Sequence, residues 1–487
     1  MEAVQAAGTP AGGYQRYRVL WPLVPAMAMV MIDFTIVSIS ATTIQQDLGL
    51  TETGVQWLVT AYALSTAAFI ALGGRLGDIF GHKRIVAIGI ITFAGFSLLC
   101  GLTPDTSAAE PWIIACRVLQ GIGGALLIPS TTVLVLNSFP PAERGKGLAI
   151  FFIVAGLFTA IGPIAGSYLT QYWTWRAIFW INVPVALISL TEFALVKIPD
   201  VAHPAKIDWG GAFLSVAGMG LTVLGIQQSS AWGWGSPATI ISIVGGVVLL
   251  VVFVVYENRQ DEPLIDIREM VASRPYLVDC LLTLALFFTW LAVFFFGSQY
   301  FQVSVGQNPT HAGFSILTMF YSFFIASRIG GGMLDKFGPK HPVTLGFAVL
   351  TVGLYLWGNE LTTLTDNSTV LGMLVTGAGF GLAMSSLNTD ALNRAPAKSR
   401  GVASGVIQSF RNFGSALGMA ILGTIVLANS PTVSGTGSGP GGAAGHAVAS
   451  GFADGLQTAF YVGAALMAVA FVGARLFMPA GKQEKME

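Results

Sequence analysis

Fourteen long apolar runs separated by short polar stretches set the pattern of this chain. They lie near 19-40, 55-75, 84-102, 111-137, 147-171, 177-197, 209-228, 237-256, 276-302, 312-334, 341-358, 368-393, 402-428 and 455-477. Each approaches or exceeds the ~20 residues that a helix rising ~1.5 Å per residue needs to cross ~30 Å of hydrocarbon. Such an interior offers no water to the backbone, so every run is predicted to be a helix. The pattern therefore predicts an all-α polytopic membrane protein with 14 transmembrane helices. The polar stretches alternate in charge. With both termini cytoplasmic, one side collects residues such as Arg16, Arg18, Arg75, Arg144, Lys206, Arg268, Lys340, Arg400 and Lys482, while the other keeps essentially Arg176. Positive residues stay on the cytoplasmic side, and an error of one span would scramble this asymmetry. Trp57, Trp112, Trp173, Trp175, Trp232, Trp234 and Trp357 are expected to form a belt at the outer interface.

One polar run recurs. Gly73 to Arg84 contains Gly74, Asp78, Gly81, Lys83 and Arg84; Gly74, Asp78, Gly81 and Lys83 align at a shift of 257 with Gly331, Asp335, Gly338 and Lys340. In a second register, Gly121, Gly123 and Arg144 stand 256 residues before Gly377, Gly379 and Arg400. Glycines let helix ends approach and reverse, and an aspartate is favoured near the start of the next helix. Six helices occupy fewer residues than this shift, and the surplus lies between spans 6 and 9. The predicted organisation is a cytoplasmic tail over 1-18, a six-helix bundle over 19-197, two inserted helices and a cytoplasmic linker over 198-275, a second six-helix bundle over 276-477, and a tail over 478-487. The segment Glu257 to Arg274 reads as a solvated linker, and Ser430 to Ser450 as a mobile outer loop.

Composition fits a chain immersed in lipid. Of 487 residues 54% are hydrophobic and 10% charged, with a mean hydropathy of +0.71 and a net charge of +0, so nucleic acid is not an expected partner. Cys100, Cys116 and Cys280 are scattered without metal-ligand spacing. No nucleotide-binding Gly-x-x-x-x-Gly-Lys-Ser/Thr run and no His-Glu-x-x-His pair occurs, so neither cofactor nor metal is expected and an enzyme is disfavoured.

Charges within the spans are the candidates for chemistry, because each costs ~2.5–3.5 kcal/mol to insert. Asp33, Arg117 and Arg411 are the deepest. Counting from the span ends puts Asp33 and Arg117 both ~21 Å from the inner face, so the two are level and are expected to meet in one cavity. An arginine holds a carboxylate ionised while desolvation opposes it, a balance suited to loading and releasing a proton. A static ion pair fixing helices 1 and 4 is the plainer alternative. Gly156, Gly162, Pro163 and Gly166 give span 5 a bend and a smooth face. Gln120, Glu192, Tyr300 and Arg411 are the candidates for a cargo cavity.

Taken together these motifs resemble the fourteen-helix drug:proton antiporters of the major facilitator superfamily. The Gly73–Arg84 run is similar to the superfamily's loop between helices 2 and 3. Ile113 to Ala125 resembles its helix-4 signature, whose arginine, here Arg117, is associated with proton transfer. Gly156 to Gly166 resembles the antiporter signature of helix 5, with Ser167 where the last glycine stands. Trp175 to Pro184, Gln299 to Gln302 and Asp33 to Val37 extend the likeness over nearly the whole chain. The resemblance implies inverted three-helix repeats, cargo handled between the bundles, and proton-coupled export of hydrophobic or cationic drugs across the cytoplasmic membrane by a monomer. Proton-coupled uptake of a small metabolite, an intramembrane enzyme and a sensor stay open as alternatives.

Overall fold

The computed structural model describes residues 17–139, 144–196, 198, 200, 206–260, 263–265, 267–268, 273–365, 368–394, 400–429, 443–479 and 481. The tails and most of the glycine-rich stretch after residue 429 lie outside them. The helices are α1 Leu20–Leu48, α2 Glu52–Phe80, α3 His82–Gly101, α4 Ala109–Ser138, α5 Arg144–Tyr172, α6 Ala177–Leu195 (interrupted at Ile181) and α7 Trp209–Trp232. They continue as α8 Pro237–Glu257, α9 Arg274–Val303, α10 Pro309–Phe337, α11 Lys340–Glu360, α12 Val370–Arg394, α13 Arg400–Asn429 and α14 Ala443–Phe477. One stands at each predicted span. Among the described residues, thirteen are long and apolar enough to cross a membrane on those grounds alone, and α5 occupies the remaining place. Helix α14 begins earlier than expected, so the end of the supposed outer loop is helical.

The sequence repeat reappears as local structure. Thr51 and Asn308 cap α2 and α10 by accepting the backbone N–H of Gly54 and His311, each at 2.9 Å. Gly81 and Gly338 end the same helices at φ +91° and +81°, a region open to glycine and strained for other residues. Packing repeats as well. A Cβ at Gly121 would overlap the Tyr62 carbonyl and the Ser65 hydroxyl, and one at Gly377 would overlap the Met319 carbonyl and the Ser322 hydroxyl. The missing side chains let α4 lie on α2, and α12 on α10, at backbone contact.

Helices α1 to α6 pack as one bundle and α9 to α14 as another, meeting where α2 lies on α13, α5 on α10 and α1 on α9. Helix α7 packs against both α2 and α13, and Thr424 Oγ1 donates to the Ile226 carbonyl at 3.3 Å. Outside it, α8 packs mainly on α7 through Gly246 and presents Ile241, Val244, Val251 and Val255 outward. The linker after α8 is not simply solvated: Leu264, Ile265 and Ile267 are buried in one cluster with Leu72, Phe253 and Ile407. Nor is the tryptophan belt complete. Trp112, Trp173, Trp232 and Trp234 are exposed, but Trp175 and Trp357 are core residues, Trp175 donating from Nε1 to Asp47 at 2.6 Å. Three cysteines are free and buried.

Candidate functional site

Three side chains form a closed knot in the first bundle. Arg117 on α4 donates from Nη1 to Asp33 Oδ2 on α1 at 2.5 Å and to Gln120 Oε1 at 2.8 Å. Gln120 Nε2 returns to Asp33 Oδ1 at 2.9 Å, and Arg117 Nε donates to the Leu58 carbonyl on α2 at 2.6 Å. All three are at most 1% exposed. Both carboxylate oxygens of Asp33 are occupied, which is what a buried charge requires to persist away from water. The Arg117 guanidinium lies 4.5 Å over the Tyr62 ring, and Tyr62 meets Phe34 edge-on at 5.1 Å.

Phe34 forms part of the wall of a cavity between the bundles. The other rings are Phe287 and Trp290 on α9 and Phe320, Phe323 and Phe324 on α10. Polar groups come from Thr159, Asn388, Gln408, Arg411, Asn412 and Ser415. The mixture of rings with a few polar groups suits a small aromatic molecule. Of the residues expected to line a cavity, Arg411 does. Gln120 belongs instead to the Asp33 knot. Tyr300 is fully buried and donates to the Leu361 carbonyl at 2.9 Å, and Glu192 on α6 lies outside the lining. Asp33 itself does not line the cavity, whereas Phe34, ~100° further around α1, does.

The span-5 motif joins α1, α5 and α10. Pro163 has no N–H to give to the Thr159 carbonyl one turn earlier, and Thr35 Oγ1 donates to that carbonyl instead at 2.9 Å. Gly162 lies against Thr35 and Gly166 against Ile36, while the Pro163 carbonyl sits 3.0 Å from where a Cβ would stand on Gly313 of α10. Gly156, with open space around it, lines the cavity. Sequence reasoning missed Thr35, although a hydroxyl two residues from Asp33 and a proline in a facing helix were both visible.

Nearer the outer end the bundles are hydrogen-bonded to each other. Ser298 Oγ donates to the Ser38 carbonyl at 3.1 Å, Gln302 Nε2 to the Ile39 carbonyl at 2.9 Å, and the Thr310 N–H to Gln171 Oε1 at 3.0 Å. At the inner end, Asp78 contacts His82 Nε2 at 3.2 Å rather than capping α3. That place belongs to Asp200, which accepts the N–H groups of His82 at 3.1 Å and Lys83 at 2.8 Å. The carboxylate arrives from beyond α6, so the loop is tied to its own bundle. Arg84 and Asp335 are exposed, Gly74 and Lys83 half-buried.

A sequence model described as Major Facilitator Superfamily matches residues 23–419. The chain belongs to that superfamily. It is a multi-pass transporter of the cytoplasmic membrane, not an enzyme. Among curated relatives, the tetracenomycin C resistance and export protein of Streptomyces glaucescens is 34% identical over 431 residues, covering 86% of this chain and 78% of its own. The puromycin resistance protein of Streptomyces alboniger is 30% identical, covering 87% and 84%. In fold, the transporter is similar to the crystal structure of a D-xylose–proton symporter, with a TM-score of 0.67, 14% identity and coverage of 95% of this chain and 98% of that one. An inward-facing bacterial homologue of the lysosomal transporter Spinster gives a TM-score of 0.64 at 16% identity, covering 97% and 98%.

Proposed function

We propose that this transporter exports hydrophobic, drug-like molecules from the cytoplasm in exchange for protons, by alternating access. The observation that carries the reading is the Asp33–Arg117–Gln120 knot, set beside the cavity but turned away from it. Tetracenomycin C and puromycin resistance in the relatives supports export of cargo of this kind.

A proton arriving at Asp33 cancels the carboxylate charge and weakens its bond to Arg117, which keeps the Leu58 and Gln120 carbonyls as acceptors. Helix α1 is then held less firmly to α4. The same helix carries Phe34 at the cavity wall and Thr35 on the freed carbonyl of α5, so a shift of α1 alters both the cargo site and the α5–α10 contact. Inward protons release ~2.3 kcal/mol per charge per 100 mV, enough to drive cargo uphill about fiftyfold.

The test uses inverted vesicles containing the full chain and an imposed pH gradient, acidic inside. Wild type is expected to accumulate a fluorescent aromatic drug as protons leave, and Asp33→Asn to be inserted normally but lose the accumulation. Undiminished proton-driven accumulation by Asp33→Asn would end the assignment of Asp33, and accumulation in the opposite direction would make the protein an uptake system.

A further inference from the structure

The cavity has one charged residue, Arg411, and no acid among the described residues is paired with it. Arg411 lies 4.3 Å over the Phe287 ring, and its Nη1 donates to Gln408 Oε1 at 3.4 Å. No aspartate or glutamate lines the cavity, and among the described residues no carboxylate pairs with Arg411. Buried acids on the helices that line the cavity face other arginines. Asp33 is saturated by Arg117 and Gln120; Asp279 on α9 and Asp390 on α12 both face Arg394, at 3.4 and 2.9 Å. A guanidinium offers five N–H donors in a planar fork, and most of this fork is unused.

We infer that the cargo is an aromatic acid: a flat ring system bearing one ionised carboxylate or acidic phenol. This assignment rests on the export reading above and narrows it. The anion supplies the missing partner to Arg411, and the fork holds a carboxylate through two bonds. The rings find Trp290, whose centroid stands 4.9 Å from Phe380, 5.3 Å from Phe323 and 5.7 Å from Phe320, a cluster that presents edges and faces to a flat molecule. A lipophilic cation meets a like charge with no acid to offset it, and that repulsion excludes it. The charge balance of transport follows. One anion leaving against one entering proton moves two charges down an inside-negative potential, where a neutral cargo moves one and a singly charged cation none.

Equilibrium dialysis of the full chain in nanodiscs, with empty nanodiscs as blank, tests this with 1-hydroxy-2-naphthoate and 10-methylacridinium at neutral pH. The naphthoate is expected to bind about tenfold or more tightly than the acridinium, the ratio a charged hydrogen bond supports. Arg411→Gln should abolish that preference, and Arg411→Lys, which keeps charge but not the fork, should retain part of it. Equal or tighter acridinium binding by wild type, or unchanged naphthoate binding by Arg411→Gln, overturns the assignment. So does binding of neither probe. Proton-driven transport of acridinium in proteoliposomes, with naphthoate ignored, defeats the cargo assignment and leaves the export reading standing. Naphthoate bound but unmoved by any pH gradient defeats the proton-driven export reading and leaves only an anion site at Arg411.

Discussion

The two bundles treat an arginine deep in a span in opposite ways. In the first, Arg117 is surrounded: a carboxylate, an amide and a backbone carbonyl take its donors, and an aromatic ring covers its face. In the second, Arg411 faces a cavity with one long hydrogen bond and one ring. The halves otherwise share caps, turns and glycine contacts. At the repeat shift of 256, however, Asp33, Arg117 and Gln120 correspond to Thr289, Met373 and Thr376, so the knot has no copy. Duplication preserved the packing surfaces, which both bundles need to hold their helices together. Charge differs between them, as the proposed split between a proton site and a cargo-facing arginine requires.

Substituting the two arginines breaks the comparison most sharply. Arg117→Met strands the Asp33 carboxylate in the core and is expected to cost about 3–5 kcal/mol. Arg411→Met strands no acid and is expected to change stability by less than about 1 kcal/mol. Thermal unfolding of the two purified variants in one detergent measures the difference; equal losses would mean that Arg411 is as structural as Arg117. Next in size is Thr35→Val, nearly isosteric, which leaves the Thr159 carbonyl without a donor at the Pro163 bend. It should cost about 1–3 kcal/mol and slow transport, and a variant as stable as its parent would show that water or another group replaces the hydroxyl. The smallest effect concerns Asp279. Two buried carboxylates share Arg394, so Asp279→Asn removes a like-charge repulsion and should leave stability within about 1 kcal/mol of wild type or above it. A loss of several kcal/mol would make that acid a second equivalent of Asp33.

Span number, the two-bundle repeat and the level placement of Asp33 and Arg117 were legible because they depend on local quantities. Hydrocarbon thickness sets helix length, basic residues set sidedness, and residue count sets depth. Three misplaced side chains share one cause. Tyr300 looked like a cavity residue and is bonded to a carbonyl beyond α11; Gln120 looked like a cargo ligand and completes an ion pair; Trp357 looked like an interfacial anchor and is core. In each, depth along the helix was predicted and direction around it was not.

By itself, then, the sequence determined how many long helices form and how far along each helix a charge lies. Only the tertiary structure decided which way each side chain points around its helix. Neighbouring residues on a helix point ~100° apart, so the rotation that helix packing imposes on α1 turns Phe34 toward the cavity and Asp33 toward Arg117.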